Sequence, residues 1–126
     1  MTGDSDIRRF EAGDLPALYR ICRLTGANGQ DASAEFTDPE LLGHFYAAPY
    51  AVSEPELCFV ALDTQGEVAG YILGTGDSEG FSTWCERAWF PALRSRLPQP
   101  APDECGSQAA VLRLIHAGYR APAYAG

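Results

Sequence analysis

Leu57-Cys58-Phe59-Val60-Ala61-Leu62, Asp63-Thr64-Gln65-Gly66 and Glu67-Val68-Ala69-Gly70-Tyr71-Ile72-Leu73 form the stretch on which the fold turns. Two apolar runs rich in strand-forming residues flank a short Asp/Gly turn, the pattern of an antiparallel hairpin. The expected pairing is 57–62 with 67–74, with the segment ending at Phe10 alongside in the same sheet. Neither run alternates cleanly between apolar and polar. Both sheet faces are therefore expected to be covered by helices.

Upstream, Ile7-Arg8-Arg9-Phe10 reads as a short strand, followed by Asp14 as the N-cap of a helix with Pro16 in its first turn. Leu15, Leu18 and Cys22 make one apolar stripe of that helix and Ala17, Ile21 and Leu24 an adjacent one. Arg20 and Arg23 are left for the solvated face, and Gly26 is the expected C-cap. Ala27 to Phe36 reads as a loop. Asp38-Pro39 opens a second helix with Leu41, Leu42, Phe45 and Tyr46 facing one way, His44 at the edge of its polar face, and Pro49 ending it. Downstream, Thr83-x-x-Glu86 is a capping-box pattern for a third helix, with Trp84, Cys85, Ala88, Trp89 and Ala92 on its apolar side. Pro91 should kink or restart that helix. From Pro98 the texture turns to a Pro-rich linker, a helical or strand-like piece over Ala109 to His116, and an Ala/Gly/Pro/Tyr tail. The order β-α-α-β-β-α indicates an α/β fold with a mixed α+β sheet.

Composition narrows the function classes. The 126 residues are 46% hydrophobic and carry a formal net charge of −8, which suits one globular domain and opposes nucleic acid and anionic membranes as partners. Every basic residue is Arg, so lysine chemistry is absent, from Schiff bases to phosphate-binding loops. Two histidines and four cysteines without a C-x-x-C pair give no metal-ligand spacing. The polar N-terminus carries no signal core, so reduced thiols in a cytoplasmic protein are expected.

Gly76-Asp77-Ser78-Glu79-Gly80 is a literal G-x-S-x-G between a strand and a helix, the setting of a nucleophile elbow. The strand before it belongs to an antiparallel hairpin, however, and two acids flank the serine where an oxyanion would develop. A polar glycine turn explains it better. Gly74-x-Gly76-x-x-x-Gly80 misses the dinucleotide fingerprint by one residue. Cys85 or Cys105 with His116 is a weak thiol–imidazole pairing.

Ile7 to Leu18, read with Phe59-Val60-Ala61-Leu62-Asp63-x-x-Gly66-Glu67-Val68-Ala69-Gly70-Tyr71, resembles the N-terminal half of the GNAT N-acetyltransferase family. Leu24-Thr25-Gly26, Gly29-Gln30-Asp31-Ala32 and Tyr46-Ala47-Ala48-Pro49-Tyr50 resemble bacterial members similar to the acetyltransferase-like domain of O-GlcNAcase. The Thr83 to Pro98 helix and Val111 to His116 extend that resemblance. It implies an acyl-CoA N-acyltransferase fold, here incomplete, with acetyl-CoA as co-substrate of the full-length family and a small-molecule or peptide amine as acceptor. Residues 1–97 would be the acceptor-side part and residues 98–126 a linker and truncated tail. Asp31, Tyr46 and Tyr50 are the implied substrate-binding residues. The family's Q/R-x-x-G-x-G/A loop begins at none of Gln30, Gln65, Gln99 or Gln108, and no G-x-G follows residue 76. No cofactor is therefore expected to bind this chain alone, and the third strand should be an open edge prone to self-association. A non-catalytic interaction module is the alternative reading, and a degraded hydrolase using Ser78 the third.

Overall fold

The computed structural model describes residues 6–26 and 30–119. Strands β1 (Asp6–Arg9), β2 (Phe59–Leu62) and β3 (Val68–Ile72) form one antiparallel sheet in the order β1-β2-β3. Phe59 pairs with Ile72 and Val60 with Tyr71, so the expected hairpin is present, one or two residues shorter at its ends. Its turn is held from one side chain: the Asp63 carboxylate accepts the backbone N–H groups of Gln65 and Glu67. Gly66 takes φ +80°, the left-handed conformation that glycine reaches without a Cβ penalty. β1 lies on the other side of β2, and the Phe10 amide continues the ladder by donating to the Cys58 carbonyl at 2.9 Å.

The helices are α1 (Leu15–Thr25), α2 (Leu41–Tyr46), α3 (Ala48–Ser53), α4 (Ser78–Trp84), α5 (Phe90–Arg96) and α6 (Ser107–Ala117). Cys85–Trp89 is a π-helical segment that joins α4 to α5. One apolar core lies between the sheet and these helices, built on Leu18, Leu41, Phe45, Val60, Phe90 and Ile115. The piece over Ala109 to His116, open between helix and strand in the sequence, is helical. It adds Val111 and Ile115 to the same core.

Several local expectations are corrected. Asp14 precedes α1 but does not cap it: its carboxylate faces backwards, accepting from the Arg8 guanidinium at 2.8 and 3.0 Å and from the Glu11 amide at 2.9 Å. Arg20 is exposed as expected but donates to the Val68 carbonyl of β3, while Arg23 is half-buried. Asp38 serves the turn before α2, accepting from Glu40 N–H. α2 ends at Tyr46, and Pro49 sits in the first turn of α3 rather than stopping the chain. A third helix opens at Ser78, because the Asp77 side chain accepts the Glu79 and Gly80 amides; Thr83 and Glu86 are interior residues. On that helix Phe81, Cys85, Phe90 and Leu93 are buried, whereas Ala88 and Ala92 are exposed.

The sheet departs from expectation on one face. Val60, Leu62, Val68 and Tyr71 turn towards the helices and pack on the core. Ile7, Phe59, Ala61, Gly70 and Ile72 line the opposite face, where a shallow hollow of ≈ 230 Å³ runs between the strands. Ile7 is 66% and Ile72 63% exposed there. The apolar runs lead to the expectation of helices on both faces, and the described residues cover one side.

Candidate functional site

A cleft opens where the C-terminal end of α1, the turn at Ser33–Glu35, the end of α2 and the start of α6 meet. It measures ≈ 400 Å³, and Thr25, Glu35, Phe36, Tyr46, Ser107 and Val111 are among its lining residues. Each wall has a local cause. Gly26 lets α1 end against α2, since a Cβ at that position would come within 2.5 Å of Leu42 Cδ1 and 2.9 Å of the Cys22 carbonyl. The chain then returns through Ala32, which is fully buried and donates to the Arg23 carbonyl at 2.9 Å. Gln108 anchors α6 to the same region, its side-chain oxygen accepting the Thr37 amide at 2.7 Å. Ser107 Oγ donates to a Glu35 carboxylate oxygen across the cleft.

The three sequence-derived candidates part ways. Tyr46, 43% exposed at the end of α2, lines the cleft, and its ring stands edge-on to Phe45 at 5.0 Å. Asp31 lies on the surface outside the lining and forms a local turn, accepting the Ser33 amide at 2.8 Å. The Ser33 hydroxyl first, and then this amide, hold its carboxyl below the usual aspartate range. Tyr50 is half-buried in an aromatic stack, 4.3 Å from the Phe81 ring and nearly parallel to it, with Tyr119 behind. The carboxylate in the cleft belongs to Glu35. Its approach to Ser107 joins residues 72 apart in sequence, and α6 had no firm reading from local pattern.

A carboxylate, two hydroxyl side chains, a phenol and apolar walls make a cleft of the kind that holds an alkylammonium group: charge pairing at one point, hydrogen bonding beside it, hydrocarbon packing around it. No anion cradle is present where the sequence turns from β3 into a helix. The Gly76 amide donates to Glu54 Oε2 at 3.3 Å, and the Glu79 and Gly80 amides are taken by Asp77. A pyrophosphate needs such amides free, so this turn does not fit one.

Ser78 stands at the exposed start of α4, and no hydrogen bond among the described residues joins it to a histidine. His116 Nε2 lies 2.6 Å from the Leu97 carbonyl, and His44 Nδ1 lies 2.9 Å from the Tyr19 hydroxyl. A thiol–imidazole pair is disfavoured for the same reason, and burial raises the Cys85 thiol to about 12. Among the described residues no three His, Cys, Asp or Glu side chains converge on a metal position. No described helix is long and apolar enough to cross a membrane.

These features define a mixed α+β fold of the GNAT acetyltransferase kind, with a three-stranded antiparallel sheet backed by helices. Its likeness to the solved structure of SsHAT is close: the TM-score is 0.81 at 32% sequence identity, over 90% of this chain and 56% of that one. The chain is also homologous to a region of protein O-GlcNAcase, being 29% identical over 108 residues to the proteins of Rattus norvegicus and Mus musculus. The matched region is 86% of this chain and 12% of each relative, so the chain spans about half of SsHAT and a small part of the O-GlcNAcases. No family model matches it.

Proposed function

We propose that this chain is the acceptor-side portion of a GNAT-type N-acetyltransferase, and that the cleft between α1, α2 and α6 receives the amine. The observation that carries this reading is the overlap with SsHAT across nine-tenths of the chain, together with a carboxylate-bearing cleft inside the overlapping fold. Glu35 pairs with the acceptor's ammonium, Ser107 holds the Glu35 carboxylate in place, and Tyr46 and Phe36 pack on the carbon skeleton. The strongly acidic surface raises the local concentration of cationic acceptors. Asp31 and Tyr50, read from the resemblance, take supporting places: Asp31 shapes the loop that carries Glu35, and Tyr50 packs in the aromatic stack.

In the complete enzyme of this reading, acetyl-CoA supplies the acetyl group. The turn after β3 does not fit its pyrophosphate, so the cofactor half comes from elements that pair with the β3 edge and cover the open sheet face. The free cysteines are in keeping with a reducing, cytoplasmic setting.

A non-catalytic interaction module is the second reading, favoured by the Glu54 and Asp77 carboxylates that occupy the amides of Gly76, Glu79 and Gly80. Two calorimetric titrations separate the readings. A short aliphatic diamine is expected to bind the chain saturably and to lose about two- to fivefold in affinity in Glu35→Gln, as befits one exposed charge pair. Acetyl-CoA is expected to give no heat with this chain alone. Equal diamine affinity in wild type and Glu35→Gln overturns the acceptor site, and micromolar acetyl-CoA binding overturns the division of labour.

A further inference from the structure

The residues that line the amine cleft are sorted by chemistry. Thr25, Glu35 and Ser107, its polar members, are exposed and form the rim. Phe36, Leu42 and Val111 are buried and form an apolar floor. Tyr46, 43% exposed, adds an aromatic wall. Glu35 is the one ionic side chain among the described residues that line the cleft, so a single cationic centre finds a counter-charge there.

The hydrogen-bonding capacity beside Glu35 is of one kind as well. Thr25 Oγ1 donates its proton to the Ile21 carbonyl at 2.8 Å, and Ser107 Oγ donates to the Glu35 carboxylate. Both hydroxyls are left with lone pairs, and an ionised carboxylate has no hydrogen to give. An ammonium, with three N–H donors, suits such a rim. A carboxylate or a phosphate does not, because it brings acceptors to acceptors and a negative charge to Glu35. A second ammonium fares no better. Away from Glu35 it lies against Phe36, Leu42 and Val111, where nothing replaces its hydration. An apolar body gains from that same surface.

We infer that the cleft selects a monoamine with an apolar, aromatic body and no acidic group. This inference rests on the reading of the cleft as an acceptor site and narrows that reading to one substrate class. The body enters first and packs on Phe36, Leu42 and Val111, with Tyr46 beside it, while the ammonium stays at the rim with Glu35. Diamines are selected against by their stranded second charge, and free amino acids by their carboxylate.

Calorimetric titration of the full chain with phenethylamine, putrescine and phenylalanine tests this order. Phenethylamine is expected to bind about tenfold more tightly than putrescine, the buried area of the ring setting the difference. Phenylalanine is expected to give no saturable heat over the same concentrations. Two exposed positions supply variants. Tyr46→Ser should weaken phenethylamine about fivefold and putrescine by less than about twofold. Ala110→Asp places a second carboxylate on the cleft wall, in the first turn of α6 where an acid also suits the helix N-terminus. It should shift the preference about fivefold towards putrescine. Putrescine binding as tight as phenethylamine, saturable binding of phenylalanine, or a preference unmoved in Ala110→Asp overturns the substrate class. If the amines still weaken in Glu35→Gln, the acceptor site itself survives that result. Phenethylamine binding that is unaltered in Glu35→Gln overturns the acceptor site, and the substrate class with it.

Discussion

Asp14 shows how one side chain joins two elements. Its carboxylate binds the Arg8 guanidinium of β1 in a bidentate pair and the Glu11 amide of the turn into α1. The Arg8 hydrogen bonds hold its carboxyl below the ordinary 3.8, outweighing the opposing effect of burial. A carboxyl depressed in the folded state adds stability above its unfolded pKa, and that stability disappears as pH falls through the folded pKa. Asp14→Asn is therefore expected to lower the urea midpoint at neutral pH. The difference from wild type should shrink at about pH 3, where the unfolded carboxyl is mostly protonated. Parallel urea titrations at both pH values check it, and a difference independent of pH would count against the pair. Gly43 is the second residue of this kind. Gly43→Ala puts a methyl into the Tyr19 ring, which its hydrogen bond to His44 holds in place. Overpacking of this sort costs about 1–3 kcal/mol. Chemical denaturation should show that loss together with an upfield or downfield displacement of the His44 ring signals; a variant as stable as wild type would mean that α1 and α2 separate freely.

Among the elements, the join between α4 and α5 is the most informative. Pro91 has no N–H to give to the Arg87 carbonyl, and its ring crowds the turn before it. The ladder slips by one residue, the Phe90 amide donating to the Cys85 carbonyl, and the widened π turn forms over Cys85–Trp89. In a regular α-helix residues five apart diverge around the axis. Here Trp84 and Trp89 come close to parallel at 6.2 Å. The segment is then held from α5 by Arg94, which pairs with Glu86 through two 2.8 Å bonds and donates to the Ile115 carbonyl of α6. Gly118, at φ +80°, ends α6 against that pair. Pro91→Ala restores a donor and is expected to relax the π turn towards α geometry, separating the two indoles. The near-ultraviolet circular dichroism of stacked tryptophans should then fall, with helix content unchanged or slightly raised. Retention of the full signal would show that packing around Trp89, rather than Pro91, sets the wide turn.

For the molecule as a whole, the sheet face that the described residues leave uncovered is the dominant physical fact. Ile7, Phe59 and Ile72 present apolar surface beside the open edge of β3, and such surface recruits further strands or helices. We expect the isolated chain to self-associate as its concentration rises. Ile72→Lys should suppress this, since a charge on the edge strand resists desolvation. Sedimentation velocity across a concentration series checks both; a wild-type monomer throughout would mean that the face is tolerated in water without a cover. The same face is where the proposed cofactor half would dock, so an added segment that restores acetyl-CoA binding should also abolish the association.

Much of this was legible in the chain itself. The hairpin could be read because two dense apolar runs around an Asp/Gly turn leave few other ways to satisfy both backbone and side chains. α1 could be read because Leu15, Leu18 and Cys22 keep helical spacing, and the restart at Pro91 because proline cannot donate. Local chemistry settles such matters within a few residues. Tertiary structure alone decided the rest. His44 lies inside because α1 crosses α2 at Gly43, a meeting that the polar side chain of His44 does not announce. Glu35 enters the cleft because α6 brings Ser107 to it, and Tyr46 turns outward because Phe45 and Leu42 already fill the inner side of a short helix. Whether an apolar strand is covered on one face or two depends on which elements are there to pack against it, and a strand's own residues express only the need.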